Sequence, residues 1–290
     1  MLYYPLYVFV YLLSLLPFGI LYVLSDILYI VVYRVLQYRV TTVRRNLANA
    51  FPAYSDKQRS ELEKKFYKHL CDLIFEVFKM ASISSQELVS RCPLDDRSKG
   101  ILAEYHRAGR QLVIISGHCG NWEWTGSAFQ LQCPYPLAVI YRPIRSAAFN
   151  RLMLRLRGRF GNRLVPMNEA LRHFIGHAKD AHAVAFISDQ TPPPATAYWT
   201  RFLNQETPVF NGSEKIARKF NYPVLFFHIK KTGRGRYVME LELVSDTPSA
   251  LPENAITEAH VRILERDILE QPEIWLWSHK RWKHKRVILR

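Results

Sequence analysis

A chain of 290 residues, 49% of them hydrophobic and 22% charged, reads as globular and is long enough to bury a full core, in one large domain with a small helical appendage or in two. Forty Lys and Arg against 25 Asp and Glu give a net charge of +15, so an acidic partner is expected: nucleic acid, an anionic membrane, or an acidic protein or lipid headgroup. The four cysteines, Cys71, Cys92, Cys119 and Cys133, form no C-x-x-C pair and lack the clustered His/Cys spacing of a zinc site, so they read as reduced thiols on the cytosolic side and no metal is expected.

In chain order, the first element is apolar. Leu2–Leu36 contains only two formal charges, Asp26 and Arg34, and Leu6–Leu24 nearly supplies the 20 or so residues of a spanning helix, interrupted by Pro17 and Gly19. No basic residues precede the apolar run and no small-residue cleavage site is obvious after it, so it reads as retained rather than as a signal peptide. Arg34, Arg39, Arg44 and Arg45 follow it and place the C-terminal side in the cytoplasm. The expected division is a hydrophobic membrane-associated helical region at 1–40 and a second domain at 41–290.

Ser55-x-x-Gln58 after Pro52 is a capping box, and Leu62, Phe66, Leu70, Leu73 and Val77 recur at helical spacing behind it. From Leu112 the texture changes to short β runs, "LVIIS", "LAVIY", "VAFIS", "VLFFHI" and "YVMELELV". Helical segments at Ala147–Phe160, Asn168–Lys179, Ser213–Phe220 and Glu253–Leu269 separate or follow them. Runs apolar on both faces suit an α/β fold with a central mixed, mostly parallel sheet flanked by helices, whose ligands sit at the carboxyl ends of the strands.

His118 lies just past "LVIIS". Gly117 and Gly120 allow a close turn, Asn121 is a good N-cap, and Glu123 falls in the first turn of the helix that follows, where the macrodipole favours an ionised carboxylate. Such a carboxylate is expected to accept the Nδ1 proton of His118 and leave Nε2 free as a base. Spacing alone is weak support. Ten histidines, each with a 25 in 290 chance of an acid five residues on, give about 0.9 accidental matches, and His260 with Glu265 is a second match, read as a solvated helix face. The strand end and its glycines carry the inference. Cys119 beside His118 reads as packing rather than as a nucleophile.

The block "GHCGNWEW" resembles the His-x4-Asp/Glu block of the lysophospholipid acyltransferase superfamily, and more narrowly that of bacterial lipid A biosynthesis acyltransferases. "NLANAFP", "VIYRP", "ISDQTPP", "NGSEKIARKFNYPV" and "QPEIWLWSHKRWK" resemble further blocks of that family in its order, while Cys119 and Asn211-Gly212-Ser213 depart from its usual residues. The resemblance implies transfer of a fatty acyl chain from a thioester to a hydroxyl of a lipid A precursor. The donor it implies is acyl carrier protein, with acyl-CoA the alternative, and no bound cofactor is needed. It further implies an inner-membrane enzyme with its catalytic domain on the cytoplasmic side, and partners that are the carrier protein, a phosphorylated glycolipid and the membrane rather than nucleic acid.

His118 and Glu123 are then the expected catalytic pair, with oxyanion donors among the backbone N–H groups around Asn121. Gly120, Asn121, Tyr141, Arg142, Asp189, Gln190, Lys215 and Arg218 are the expected substrate-binding positions. Arg142 ends a strand and suits a phosphate or thioester-side group. Asp189 and Gln190 face the same crevice and shape the pocket or touch substrate. Lys215, Arg218 and Lys219 offer charge to lipid phosphates. His173 and His177 stand four apart as zinc ligands do, without the glutamate or third ligand that would make a site. The tail "SHKRWKHKR" reads as contact with anionic headgroups or an acidic carrier. The alternatives are an acyl-CoA-dependent enzyme for another membrane lipid, or a basic membrane- or nucleic-acid-binding protein without catalysis.

Overall fold

A computed structural model describes residues 2–177 and 181–286. The chain opens with two short apolar helices, α1 (Tyr3–Ser14) and α2 (Phe18–Tyr29), broken at Pro17, with α2 running on as a π-helical turn over Ile30–Val35. Then come α3 (Val40–Ala50) and the 24-residue α4 (Asp56–Lys79). The Ser55 capping box that starts α4 is complete: Gln58 N–H donates to Ser55 Oγ at 3.3 Å and Ser55 N–H to Gln58 Oε1 at 2.8 Å. Leu62, Phe66 and Leu73 are buried on it, as their spacing requires.

Two further capped helices, α5 (Ser85–Arg91) and α6 (Asp96–Arg107), lead into the sheet. Alternation of strand and helix then gives β1 (Leu112–Ser116), α7 (Trp122–Gln132), β2 (Leu137–Tyr141), α8 (Ala147–Gly158), β3 (Arg163–Pro166), α9 (Ala170–Gly176) and β4 (Ala183–Ile187). A two-stranded hairpin, β5 (Tyr198–Phe202) and β6 (Gln205–Val209), precedes α10 (Gly212–Phe220), β7 (Val224–Gly233), β8 (Arg236–Ser245) and α11 (Ala255–Glu270).

Six strands form one sheet in the order β3-β2-β4-β1-β7-β8, parallel throughout except for antiparallel β8. β1 is central, and its apolar residues divide between two cores: Val113 and Ile115 on one face, Leu112 and Ile114 on the other. Each such side chain, fully withdrawn from water, contributes about 1.5–3 kcal/mol. The expected mostly parallel α/β architecture is what forms.

Three details differ from the sequence reading. Strand β3 and the β5–β6 hairpin lack the apolar runs that flag a strand: Arg163 and Arg201 are exposed and both segments are short. The segment expected to be helical over Asn168–Lys179 is a 3-10 turn at Met167–Glu169 followed by α9, and positions 178 and 179 lie outside the described residues. The tail is not a free basic arm. Trp275, Trp277 and Arg281 are buried, Arg281 donates to Pro208 O at 2.7 Å, and Trp282 Nε1 donates to Thr207 Oγ1 at 2.7 Å, because indole area gains more from the core than from solvent.

Candidate active site

The strand register builds the site. Parallel pairing sets Ser116 of β1 opposite Ile187 of β4, so the residues two places beyond each strand end, His118 and Asp189, stand side by side. His118 Nδ1 lies 2.5 Å from Asp189 Oδ1, and the His118 backbone N–H donates to Asp189 Oδ2 at 2.8 Å. The Trp275 indole N–H donates to the same Oδ2, also at 2.8 Å. Gly117 permits this approach, since a Cβ there would sit 2.5 Å from the Leu264 side chain and 3.4 Å from Asp189 Oδ2.

Asp189 is almost wholly enclosed, its side chain 3% exposed. Burial pushes its carboxyl upward, but the His118 charge, the two hydrogen bonds from His118 and that from Trp275 outweigh burial and hold it below the usual carboxylate range. An ionised Asp189 fixes the proton of His118 on Nδ1, which presents the lone pair of Nε2 outward. That atom lies 3.3 Å from Gln190 Nε2.

The sequence reading gave this orienting role to Glu123, and here the structure corrects it. Glu123 lies in the first turn of α7, but its carboxylate turns to α8: Arg157 donates from Nε to Oε2 at 2.7 Å and from a terminal nitrogen to Oε1 at 2.6 Å. A bidentate guanidinium with both partners mostly buried is a stronger claim on that carboxylate than an imidazole. Burial works against the Arg157 charge, and Glu123 more than offsets it. Between Glu123 and His118 stands Trp122, whose indole N–H donates to Glu123 Oε1 at 3.2 Å and whose rings meet the imidazole edge-on at 5.0 Å.

His118, Trp122, Glu123, Tyr141, Arg142, Arg157 and Gln190 all line one cleft of about 570 Å³ at the carboxyl ends of β1, β2 and β4. Arg142 is exposed at its rim and has no acid within ion-pair distance among the described residues. Beneath the cleft, and sharing Trp122, Gly126, Val139 and Ile187 with it, an apolar slot continues between α7 and the sheet, walled by Ile114, Phe129, Phe227 and Ile229.

Other expected contacts do not reach the cleft. Gly120 is in the left-handed region, φ 56°, and a Cβ would lie 2.7 Å from Ile229, so its task is the turn; its N–H donates to Ile274 O. Asn121 is fully buried, capping Trp124 N–H at 2.9 Å and donating to Glu76 at 2.8 Å. Both are therefore structural rather than substrate-binding, and the Gly120 and Trp124 N–H groups are already engaged instead of awaiting an oxyanion. Lys215 and Arg218 sit on α10, which follows the cleft-lining Phe210, and neither side chain lines the cleft.

His260 is buried rather than solvated, and burial lowers it to about 4. Cys119 is a filler: enclosure raises its thiol well above the ordinary value, and no thiolate forms. Its backbone pairs with Trp275 in an isolated antiparallel bridge, so one tryptophan holds both the histidine loop and the aspartate. Arg157 and Trp275 went unmarked in the sequence, because neither a lone arginine in a basic helix nor a tryptophan in an aromatic tail announces its partner.

With this geometry in hand, the comparisons with known proteins are decisive. A family described as bacterial lipid A biosynthesis acyltransferase matches residues 2–284. The chain belongs to that family of acyltransferases. It is 23% identical over 256 residues to the lipid A biosynthesis palmitoleoyltransferase of Escherichia coli, covering 87% of this chain and 81% of that one. It is 21% identical over 239 residues to a lipid A biosynthesis acyltransferase of Haemophilus influenzae, covering 82% and 73%. At such identities the shared fold and family are clear, and the assignment of each side chain rests on the geometry above.

Proposed function

We propose that this enzyme transfers a fatty acyl chain from an acyl thioester, carried by acyl carrier protein, to a hydroxyl of a phosphorylated lipid A precursor at the cytoplasmic face of the inner membrane. The observation that supports the chemistry is the His118–Asp189 pair at the floor of a cleft that continues into an apolar slot. His118 Nε2 takes the proton of the acceptor hydroxyl as its oxygen attacks the thioester carbonyl, a contribution worth typically 10²–10⁴ in rate. The tetrahedral intermediate then collapses, the carbon–sulfur bond breaks, and the imidazolium returns the proton to the departing thiolate. Asp189 keeps the imidazole in the reactive tautomer and stabilises its cation.

Arg142 at the rim suits a phosphate of donor or acceptor. The slot beneath Gly126 suits the acyl chain, since a Cβ at Gly126 would meet nothing within 4 Å. The test is a purified-enzyme assay with a tetraacylated lipid A precursor and either acyl carrier protein or CoA thioesters, with His118→Ala as control. Transfer from the carrier thioester, lost in His118→Ala while the protein stays folded, is expected. Transfer from CoA alone would move the donor assignment, transfer to a glycerophospholipid but not to the lipid A precursor would move the acceptor, and transfer by His118→Ala would remove the base.

A further inference from the structure

The helix over Phe18–Val35 has 18 residues, enough by length and hydropathy to cross a bilayer. Its packing says otherwise. At its midpoint Asp26 pairs at 2.7 Å with Arg234, in the turn between β7 and β8, and Arg234 also pairs at 2.6 Å with Asp72 of α4. Ser25 Oγ donates to Asp72 at 2.7 Å and the Tyr22 hydroxyl to Glu76 at 3.2 Å. α1 is held in the same side-on way: Lys79 donates to Ser14 O at 2.8 Å and Leu16 O at 2.9 Å at its C-terminal end. If α2 crossed a membrane, a polar β-turn, three charges and the side of α4 would lie at the bilayer midplane, where each charge costs several kcal/mol and open backbone has no partner.

The outward faces of both helices are nevertheless apolar, with Phe9 and Leu12 of α1, Leu15 just after it, and Ile20, Val23 and Ile27 of α2 all exposed. At one end of this face Arg34 and Arg39 lie over Tyr33 and Tyr38. At the other, Arg151 and Arg155 of α8 lie over Tyr3 and Tyr7, at 4.3 Å from each ring centroid. None of these four arginines has an acid within ion-pair distance among the described residues. An apolar face flanked by tyrosine–arginine pairs suits contact with lipid tails and anionic headgroups, and the side-on polar anchoring of both helices along the domain sets that contact in one leaflet.

We infer that the two N-terminal helices lie in the plane of a single leaflet and do not span the bilayer, so that the N-terminus and the catalytic domain are on the same side. Because α8 carries Arg151 and Arg155 to the lipid surface and Arg157 to the cleft, this seating sets the cleft one helix away from the acceptor's own membrane. The inference is independent of the donor and of the histidine chemistry.

The experiment uses the full chain with separate protease-cleavable tags at both ends, expressed and recovered in sealed membrane vesicles. In-plane seating predicts that each molecule loses both tags or neither, whatever the vesicle orientation; molecules that lose one tag and keep the other until detergent is added would overturn it. Spin labels placed singly at Phe9, Val23 and Val35 give a second reading. In-plane seating predicts similar depths, within about 5–10 Å of the headgroups, and a progression through the midplane to the far interface would overturn it.

Discussion

Two carboxylates stand near His118, Glu123 in the first turn of α7 and Asp189 beyond the end of β4, and they behave differently. Glu123 is five residues from His118 along the chain and is bound by Arg157; Asp189 is seventy-one residues away and holds the imidazole. Closeness in sequence placed Glu123 on a helix that starts by turning away from the strand end, whereas parallel pairing of β1 with β4 brought Asp189 directly alongside. In a parallel sheet the neighbour of a strand-end residue is the end of the adjacent strand, and only the strand order names it.

Exchanging amide for carboxylate tests this contrast most severely. In Asp189→Asn two N–H donors, His118 N and Trp275 Nε1, still converge on the site of Oδ2, so the amide oxygen must face them and its NH₂ must face His118 Nδ1. That forces the proton onto Nε2 and removes the base, and kcat is expected to fall about 10²–10⁴-fold with little change in KM. Asp189→Asn activity within tenfold of wild type would return the orienting role to another group.

Glu123→Leu acts through Arg157 instead. It strands a mostly buried guanidinium, with a stability cost toward the lower end of about 3–5 kcal/mol because Arg157 keeps some solvent contact. Thermal or urea unfolding should show this loss, and Glu123→Leu/Arg157→Met should recover most of it. Stability lost equally in the double variant would mean that the two residues are not partnered.

Trp275→Phe keeps the ring but deletes one hydrogen bond to an ionised carboxylate. A loss of about 1.5–3 kcal/mol shared between folding and the transition state predicts a drop in kcat of roughly tenfold, smaller than that of Asp189→Asn. Unchanged kcat would confine Trp275 to packing.

A separate test lies in the pH dependence of stability rather than of activity. His69, His260 and His279 are held neutral by burial, at about 3, 4 and 4 against an ordinary 6.5. The unfolded chain binds these protons first as pH falls, so stability should be full above 6.5 and decline through about pH 4. Asp189 is shifted in the same direction, downward, but as a carboxylate it contributes stability above its unfolded value near 3.9 and loses it only in stronger acid. His260→Gln should flatten the decline between pH 6.5 and 4 in equilibrium unfolding; an unchanged slope would mean that His260 is solvated.

Much of the fold was legible in the residues. Apolar strands buried on both faces, the capping box at Ser55 and the glycine turn after β1 each act through local sterics or local hydrogen bonds, and a local rule is written in consecutive residues. The histidine was legible for the same reason, as was the apolar character of the first 36 residues. Strand β3 and the β5–β6 hairpin were not, since their pairing comes from neighbours rather than from their own patterns.

What the sequence determined by itself is where His118, the proposed base, stands and that a strand end presents it. Which acid stands behind it, which arginine holds the other acid, and how the apolar N-terminal helices pack on the domain were decided only by tertiary structure. Each depends on a meeting of residues from 34 to more than 200 positions apart, set by strand register and helix packing, which no local window contains.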